Sequence, residues 1–353
     1  RVKLLSKDKS IERCSNLIIN RSKNVGSGVG STTFADGLTG PNQNSGVAFP
    51  YGTRVQDEEI SLNVPDIHRV LGIFESGGTG DPVLPSFVAL NQTATFSNNV
   101  VVGEQIIGST SGAVARIVDI VSGTQLNFVY ENQKVFEVNE PFVLQSSGIV
   151  GSIGSIVEGD ADVSENYILD KGHRREFVDY GRIIRKSDAP EPTGKLRIIF
   201  DFYKTNESTG TVESINSYTG LDYEKEIPTV IDARASEFID IRPRVENYLT
   251  TSVKSPFDFD SRTFASTSSE TIISQKTIVL DYSYYLGRVD RLYLSKDGTF
   301  ELKKGTPSES PKPPVENNEA MQVAVIAMDP YVFNATINSN LKVIPHRRYT
   351  MKD

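Results

Sequence analysis

Residues 280–304 read LDYSYYLGRVDRLYLSKDGTFELKK, and this stretch decides the fold class. In Val289-Asp290-Arg291-Leu292-Tyr293-Leu294, strand alternation puts Leu292 and Leu294 on one face and Arg291 and Tyr293 on the other. Lys296-Asp297-Gly298 is the turn, because Asp-Gly accepts the positive φ angles of a tight hairpin. Thr299-Phe300-Glu301-Leu302 then returns as the partner strand. The local signal is β hairpin, and no chemical site accompanies it.

Composition extends that reading to the whole chain. Val, Ile, Thr, Tyr and Phe outweigh Ala, Leu and Met in most windows, Trp is absent, and no long amphipathic helix pattern occurs. A length of 353 residues suits two or three domains. Net charge is −8 and the sequence pI about 5.2, so the basic footprint of a nucleic-acid binder is lacking and no nucleic-acid partner is expected. The clusters His173-Arg174-Arg175 and His346-Arg347-Arg348 read as solvated loop charge. The single cysteine, Cys14, excludes an intrachain disulfide and a Cys-rich metal site. No run approaches the roughly 18 apolar residues of a membrane helix, so no membrane insertion is expected. An Arg at position 1 and the ending Tyr349-Thr350-Met351-Lys352-Asp353 suggest a piece of a longer polypeptide.

Four segments follow from the pattern of strands and linkers. Residues 1–80 form an N-terminal β segment of the main domain, with a Gly-rich loop over 24–46; Pro65 limits 58–76 to an edge strand or strand–turn–strand. After the linker Ser76-Gly77-Gly78-Thr79-Gly80, residues 87–157 read as an inserted small β-barrel module. Its basis is an internal echo: Val102-Gly103-Glu104-Gln105-Ile106-Ile107 with Ser111-Gly112-Ala113-Val114, then Phe136 to Leu144 with Ser147-Gly148-Ile149-Val150. Two such half-units close on one another most simply as a barrel, which leaves no free edges. Residues 160–255 form a central β-domain in which Leu196 to Tyr203, apolar on both faces, is a central strand. Residues 256–353 form a C-terminal β-domain holding the 288–304 hairpin and a buried-looking strand from Met321 to Met328. The expected class is mainly β: multi-domain, β-sandwich-like sheets with an inserted barrel.

Chemistry is sparse in this sequence. His68, His173 and His346 lie in different segments, no Gly-x-Ser-x-Gly elbow is present, and Cys14 has no neighbouring base. Asp258 and Asp260 lack the Gly and terminal Glu of a calcium loop. No catalytic residue, cofactor or metal ligand is assigned, and the chain is not expected to be an enzyme; a glycan-degrading reading needs carboxylates across a groove, which nothing selects. Asp240-Ile241-Arg242-Pro243-Arg244 places Asp and Arg on one strand face, where they pair with each other or with a neighbour. Asp240, Arg242, Arg244, Arg288, Asp290 and Arg291 are accordingly the candidate assembly contacts.

The order of several motifs resembles a family of virion structural proteins from contractile-tailed phages, especially those of marine cyanobacteria. The residues that carry the resemblance are Phe74-Glu75-Ser76, then Leu169-Asp170-Lys171-Gly172-His173-Arg174-Arg175 running on to Tyr180-Gly181-Arg182. Asp201-Phe202-Tyr203, Ser217-Tyr218, Ile239 to Arg244, Arg288 to Leu292, Lys296-Asp297-Gly298 and Gly305-Thr306-Pro307 follow in order. These motifs span 60–76 and 165–353. The resemblance implies a structural component of a phage tail, at the baseplate or the fibre attachment, assembled in the host cytoplasm and resident in the virion. Its partners would be other copies of itself and other tail proteins, through the 24–46 and 250–270 loops among other contacts. The alternative is a host-surface glycan-binding tail module, using the barrel or the Tyr-rich 282–293 face. The resemblance also implies a coiled-coil segment beyond Asp353.

Overall fold

The computed structural model describes residues 5–24, 33–40, 49–206, 208–222, 225–230, 233–250, 253–264, 279, 285–330 and 339–345. The chain is mainly β and divides into two units, Arg1–Thr271 and Ile272–Asp353.

The first unit opens with β1 (Asp8–Ile19), β2 (Glu59–Pro65) and β3 (Ile67–Glu75). β2 and β3 are one run of chain broken at Asp66, whose φ of 59° turns the backbone from one sheet into another. Pro65, with no N–H to give a ladder, sits at the end of β2, itself an edge strand, as its chemistry requires.

Six strands then close into a barrel: β4 (Ser86–Leu90), β5 (Gln105–Gly108), β6 (Val114–Ile120), β7 (Gln125–Tyr130), β8 (Pro141–Leu144) and β9 (Val150–Val157). Their order around the barrel is β4-β7-β6-β5-β8-β9. Phe87, Phe96, Phe128, Phe136 and Phe142 fill it, with Phe87 in ring contact with each of the other four. The internal echo of the sequence is a structural near-repeat. The Glu104 carboxylate accepts from the backbone N–H of Val101, Ser146 and Ser147. Glu140, its counterpart in the second half-unit, accepts from Glu137, Thr110 and Ser111. Each buried carboxylate therefore ties the turn of the opposite half to its own, and the two halves lock reciprocally.

Beyond the barrel lie β10 (Ala161–Asp162), β11 (Tyr167–Asp170), β12 (Tyr180–Arg185), β13 (Leu196–Asn206), β14 (Thr229–Val230) and β15 (Ala233–Arg234). β10 pairs with β3, Ala161 opposite Glu75, so the chain re-enters the main sheet beside the point where it left. One sheet runs β1-β13-β3-β10 and the other β11-β12-β2. Ile60, Leu62, Tyr167 and Ile183 from the second face Ile19, Ile73, Leu196, Ile198 and Phe200 from the first, which is a sandwich core. On the outer side of the first sheet, Cys14, Phe74 and Ile199 pack with Leu84 and with Val118 and Val129 of the barrel. β13 reads as apolar on both faces because one face meets the sandwich core and the other meets the barrel.

The expected boundary at 256 shifts. Residues 253–264 are stapled to the first unit: Arg262 pairs with Asp179 at 2.7 Å, and Phe264 bridges to Val245.

The second unit is a four-stranded sheet of β16 (Arg288–Leu294), β17 (Phe300–Lys303), β18 (Met321–Met328) and β19 (Ser339–Val343), ordered β17-β16-β18-β19. The hairpin falls where the sequence places it. Of its loop residues only Gly298 takes a positive φ, 78°, so the connection is an ordinary turn with glycine at its left-handed exit rather than a two-residue primed turn. Tyr293 and Asp290 are the buried residues of β16, and the chain after β17 folds back and donates to both: Gly305 N–H to Asp290 at 2.9 Å and Asn317 N–H to the Tyr293 hydroxyl at 3.1 Å. One expectation about burial is corrected: β18 is not a buried strand, and of its residues only Ala324 is buried.

Candidate functional site

The residues expected at assembly contacts are, in the first unit, spent on bonds inside the chain. Asp240 to Arg244 is not a regular strand; Glu213 bridges to Asp240, and Val178 to Arg244. Arg242 closes on Asp240 at 2.6 Å and donates to the Arg174 carbonyl. Arg244 reaches Asp66 at 2.9 Å and also donates to Thr205 and to the Tyr203 carbonyl. Asp66 is 1 % exposed and also takes Lys9 at 2.8 Å; Lys9 in turn meets Glu213 at 2.6 Å. His173 Nε2 lies 3.3 Å from Asp66, and Tyr203 and Tyr218 flank the Lys9 ammonium. Burial alone would push Lys9 down and Asp66 up. The opposing charges outweigh it, so the Lys9 ammonium is held above its ordinary value and the Asp66 carboxyl well below.

A second lattice adjoins the first. Arg262 and Arg174 face Asp179, Arg174 and Arg182 share Asp170, and Arg182 continues to Glu59 at 2.6 Å. Asp170, His173, Arg174, Asp179 and Arg182 all come from the 169–182 motif, so that motif encodes a brace. Gly172 between them has φ 89°, and a Cβ there would stand 2.1 Å from the Asp179 carbonyl, so no side chain fits.

The barrel is bolted to the sandwich by a third set. β1 bulges between Glu12 and Ser15, which turns the Cys14 N–H onto the buried Asp201 carboxylate at 2.8 Å. Arg69 pairs with Asp201 at 3.0 Å and with Glu131 of the barrel at 3.5 Å, and Arg116 holds Glu131 at 2.6 Å. The Cys14 thiol donates to the Ile117 carbonyl; burial, with Asp201 second, pushes it up to about 12. Cys14 is therefore expected to resist an aromatic disulfide reagent at pH 8 in the folded chain and to react fully in denaturant. Rapid labelling without denaturant would show that the barrel–sheet contact opens. A cleft of about 300 Å³ lies beside this contact, but its two guanidinium groups are engaged, Arg13 by Glu226 and Arg116 by Glu131. Among the described residues no three His, Cys, Asp or Glu gather as metal ligands would.

The second unit differs in kind. Residues directly opposite in an antiparallel ladder share a face. The pairs Leu292–Leu302, Leu294–Phe300, Leu292–Ala324, Ala324–Val343 and Ile326–Leu341 therefore put one continuous apolar face on the sheet. Phe300 is 68 % exposed, Leu341 55 % and Val343 60 %. On that face Arg288 pairs with Asp290 at 3.0 Å. The opposite face carries Arg291, which holds Glu316 at 2.7 Å and Gln322 at 2.9 Å. Of the tyrosines proposed to stack on a glycan, Tyr282 and Tyr284 lie outside the described residues. Tyr285 is 60 % exposed, whereas Tyr293 is 1 % exposed and offers no ring to a sugar.

Lys9, Asp66 and Glu213 carry no sequence signal for their meeting; only the acid set directly after Pro65, between two apolar strands, marks Asp66 as a corner. Residues 25–32 and 41–46 of the Gly-rich loop, 251–252 and 265–270 of the Ser/Thr-rich loop, and the 346–353 ending also lie outside the described residues.

Fold and site together define a mainly β chain: a braced sandwich carrying an inserted barrel, and a four-stranded sheet with an apolar face exposed along its edge strands. A family model described as "Domain of unknown function (DUF4815)" matches residues 247–352. No curated protein and no solved structure matches the chain.

Proposed function

We propose that this chain is a structural component of a phage tail, placed at the baseplate or the fibre attachment and working through contacts with neighbouring subunits. The observation that carries the reading is the exposed apolar side chains on the edge strands of the second unit: a sheet normally buries such residues against a second layer, and Phe300, Leu302, Leu341 and Val343 are left in water. The braces of the first unit agree with this role. Paired charges buried among strands hold a shape rigidly, which a load-bearing subunit needs, and the motif that resembles contractile-tailed phage proteins supplies one of the lattices. Its partners are then other copies and other tail proteins, in virions assembled in the host cytoplasm. Antibodies raised against the chain test the reading by electron microscopy of intact virions. Label at the tail tip is the expected result. Label on the capsid would discard the tail, and absence of both label and peptide from purified particles would overturn the virion reading.

A further inference from the structure

We infer that the apolar face of the second unit is a self-association surface, packing against the same face of another copy of this chain. Charge selects this occupant. The exposed side chains of the face, Phe300 and Leu302 on one edge strand and Leu341 and Val343 on the other, carry no charge, and between them Ala324 is 2 % exposed. Among the described residues its ionic side chains are Arg288 and Asp290, which pair at 3.0 Å, with Asp290 buried in the row of Ile326 and Leu341. The charged residues of these strands, Arg291, Glu301, Lys303 and Lys342, fall on the other face by the same register. An acidic or basic partner would find nothing to pair with here. A flat, neutral, apolar face is complementary to another of its kind, and every copy of the chain brings one at equal concentration.

Geometry and area agree. Two sheets stack about 10 Å apart with their strands within about 30° of parallel, and an isologous contact lets a single patch serve both sides. Four strands at about 4.8 Å spacing, with six residues of roughly 3.3 Å rise on average, give a face of about 400 Å² in plan. That is the scale of the largest apolar patch an ordinary monomer exposes, and about half of a standard interface per partner. Association through this face alone is thus weak, on the order of micromolar to tens of micromolar, and tightens where copies are held side by side.

The inference deepens the assembly reading by naming its surface, but its test needs no virion. The full 353-residue chain is followed by sedimentation velocity from about 1 to about 200 µM. The expected result is a concentration-dependent shift from monomer to a closed oligomer. Phe300→Glu and Leu341→Glu should each weaken it at least about 100-fold, because the new carboxylates would be buried unpaired. Both positions are solvent-exposed in the single chain, so thermal melts and circular dichroism should be unchanged, which separates lost association from lost folding. Lys342→Ala, on the other face, should leave the oligomer intact. A monomer at every concentration would overturn the inference. So would an oligomer indifferent to both glutamates. Neither result bears on whether the protein resides in virions, which the antibody experiment decides separately.

Discussion

Asp66→Asn is expected to destabilise the first unit by roughly 3–5 kcal/mol, read by chemical denaturation. Asn keeps the volume of Asp and tolerates the left-handed backbone at this corner, so the substitution removes charge and little else. What remains is Lys9 with Glu213 alone, and Arg244 facing only the neutral oxygens of Thr205, Pro65 and Tyr203. A cation left buried without its counter-ion costs more than the pair ever contributed. The acid limb of stability gives a second readout. The Asp66 carboxyl is held well below its ordinary value of 3.8 in the folded chain, so its contribution is present above 3.8 and is lost as pH falls below it. The variant should therefore lose stability less steeply in acid than the parent. A cost under about 1 kcal/mol would mean that the lattice is hydrated and not a brace.

Glu104→Ala and Glu140→Ala should each cost the barrel about 3 kcal/mol or more. Each change strands three backbone N–H donors that now converge on one buried carboxylate. Ser111 adds a side-chain hydroxyl to the Glu140 set, so that variant should be the more damaging. The double variant should fall short of the sum of the two, since either loss already frees one half-unit from the other. Hydrogen exchange at Ser111, Ser146 and Ser147 is the direct check: protection should vanish at 146–147 for Glu104→Ala and at 111 for Glu140→Ala. Retained protection at both turns would show that they stand without the carboxylates.

The elements readable from the sequence were those whose cause is local or periodic. Asp297-Gly298 determines the hairpin by backbone preference alone, and the Gly103-Glu104 and Asn139-Glu140 echo marks the barrel because the same turn is built twice, with positive φ at Gly103 and at Asn139. The apolar run of β13 correctly marks a central strand. What was not readable depends on distance. Lys9 and Asp66 are separated by 57 positions and meet only after two sheets have folded. The alternation of β16 does not tell which residues are buried, because the chain that covers Tyr293 lies beyond the hairpin and a register slip against β18 breaks the strict two-residue period. Asp240, Arg242 and Arg244 were recognisable as ion-pair formers, yet their chemistry alone does not distinguish a partner in the same chain from one in a neighbour.

The barrel leaves β3 after Glu75 and comes back opposite that same residue at Ala161. Such a graft costs its host sheet no strand order, so the interrupted hairpin would close equally well over a short loop or over a different cassette. Evolution can exchange a part mounted this way without redesigning the frame. The constraint on exchange is the seat: Cys14, Phe74 and Ile199 are covered by Val118 and Val129, and Arg69 expects an acid where Glu131 stands. A replacement must bring two aliphatic side chains and one carboxylate to that spot, whatever it displays on its far side.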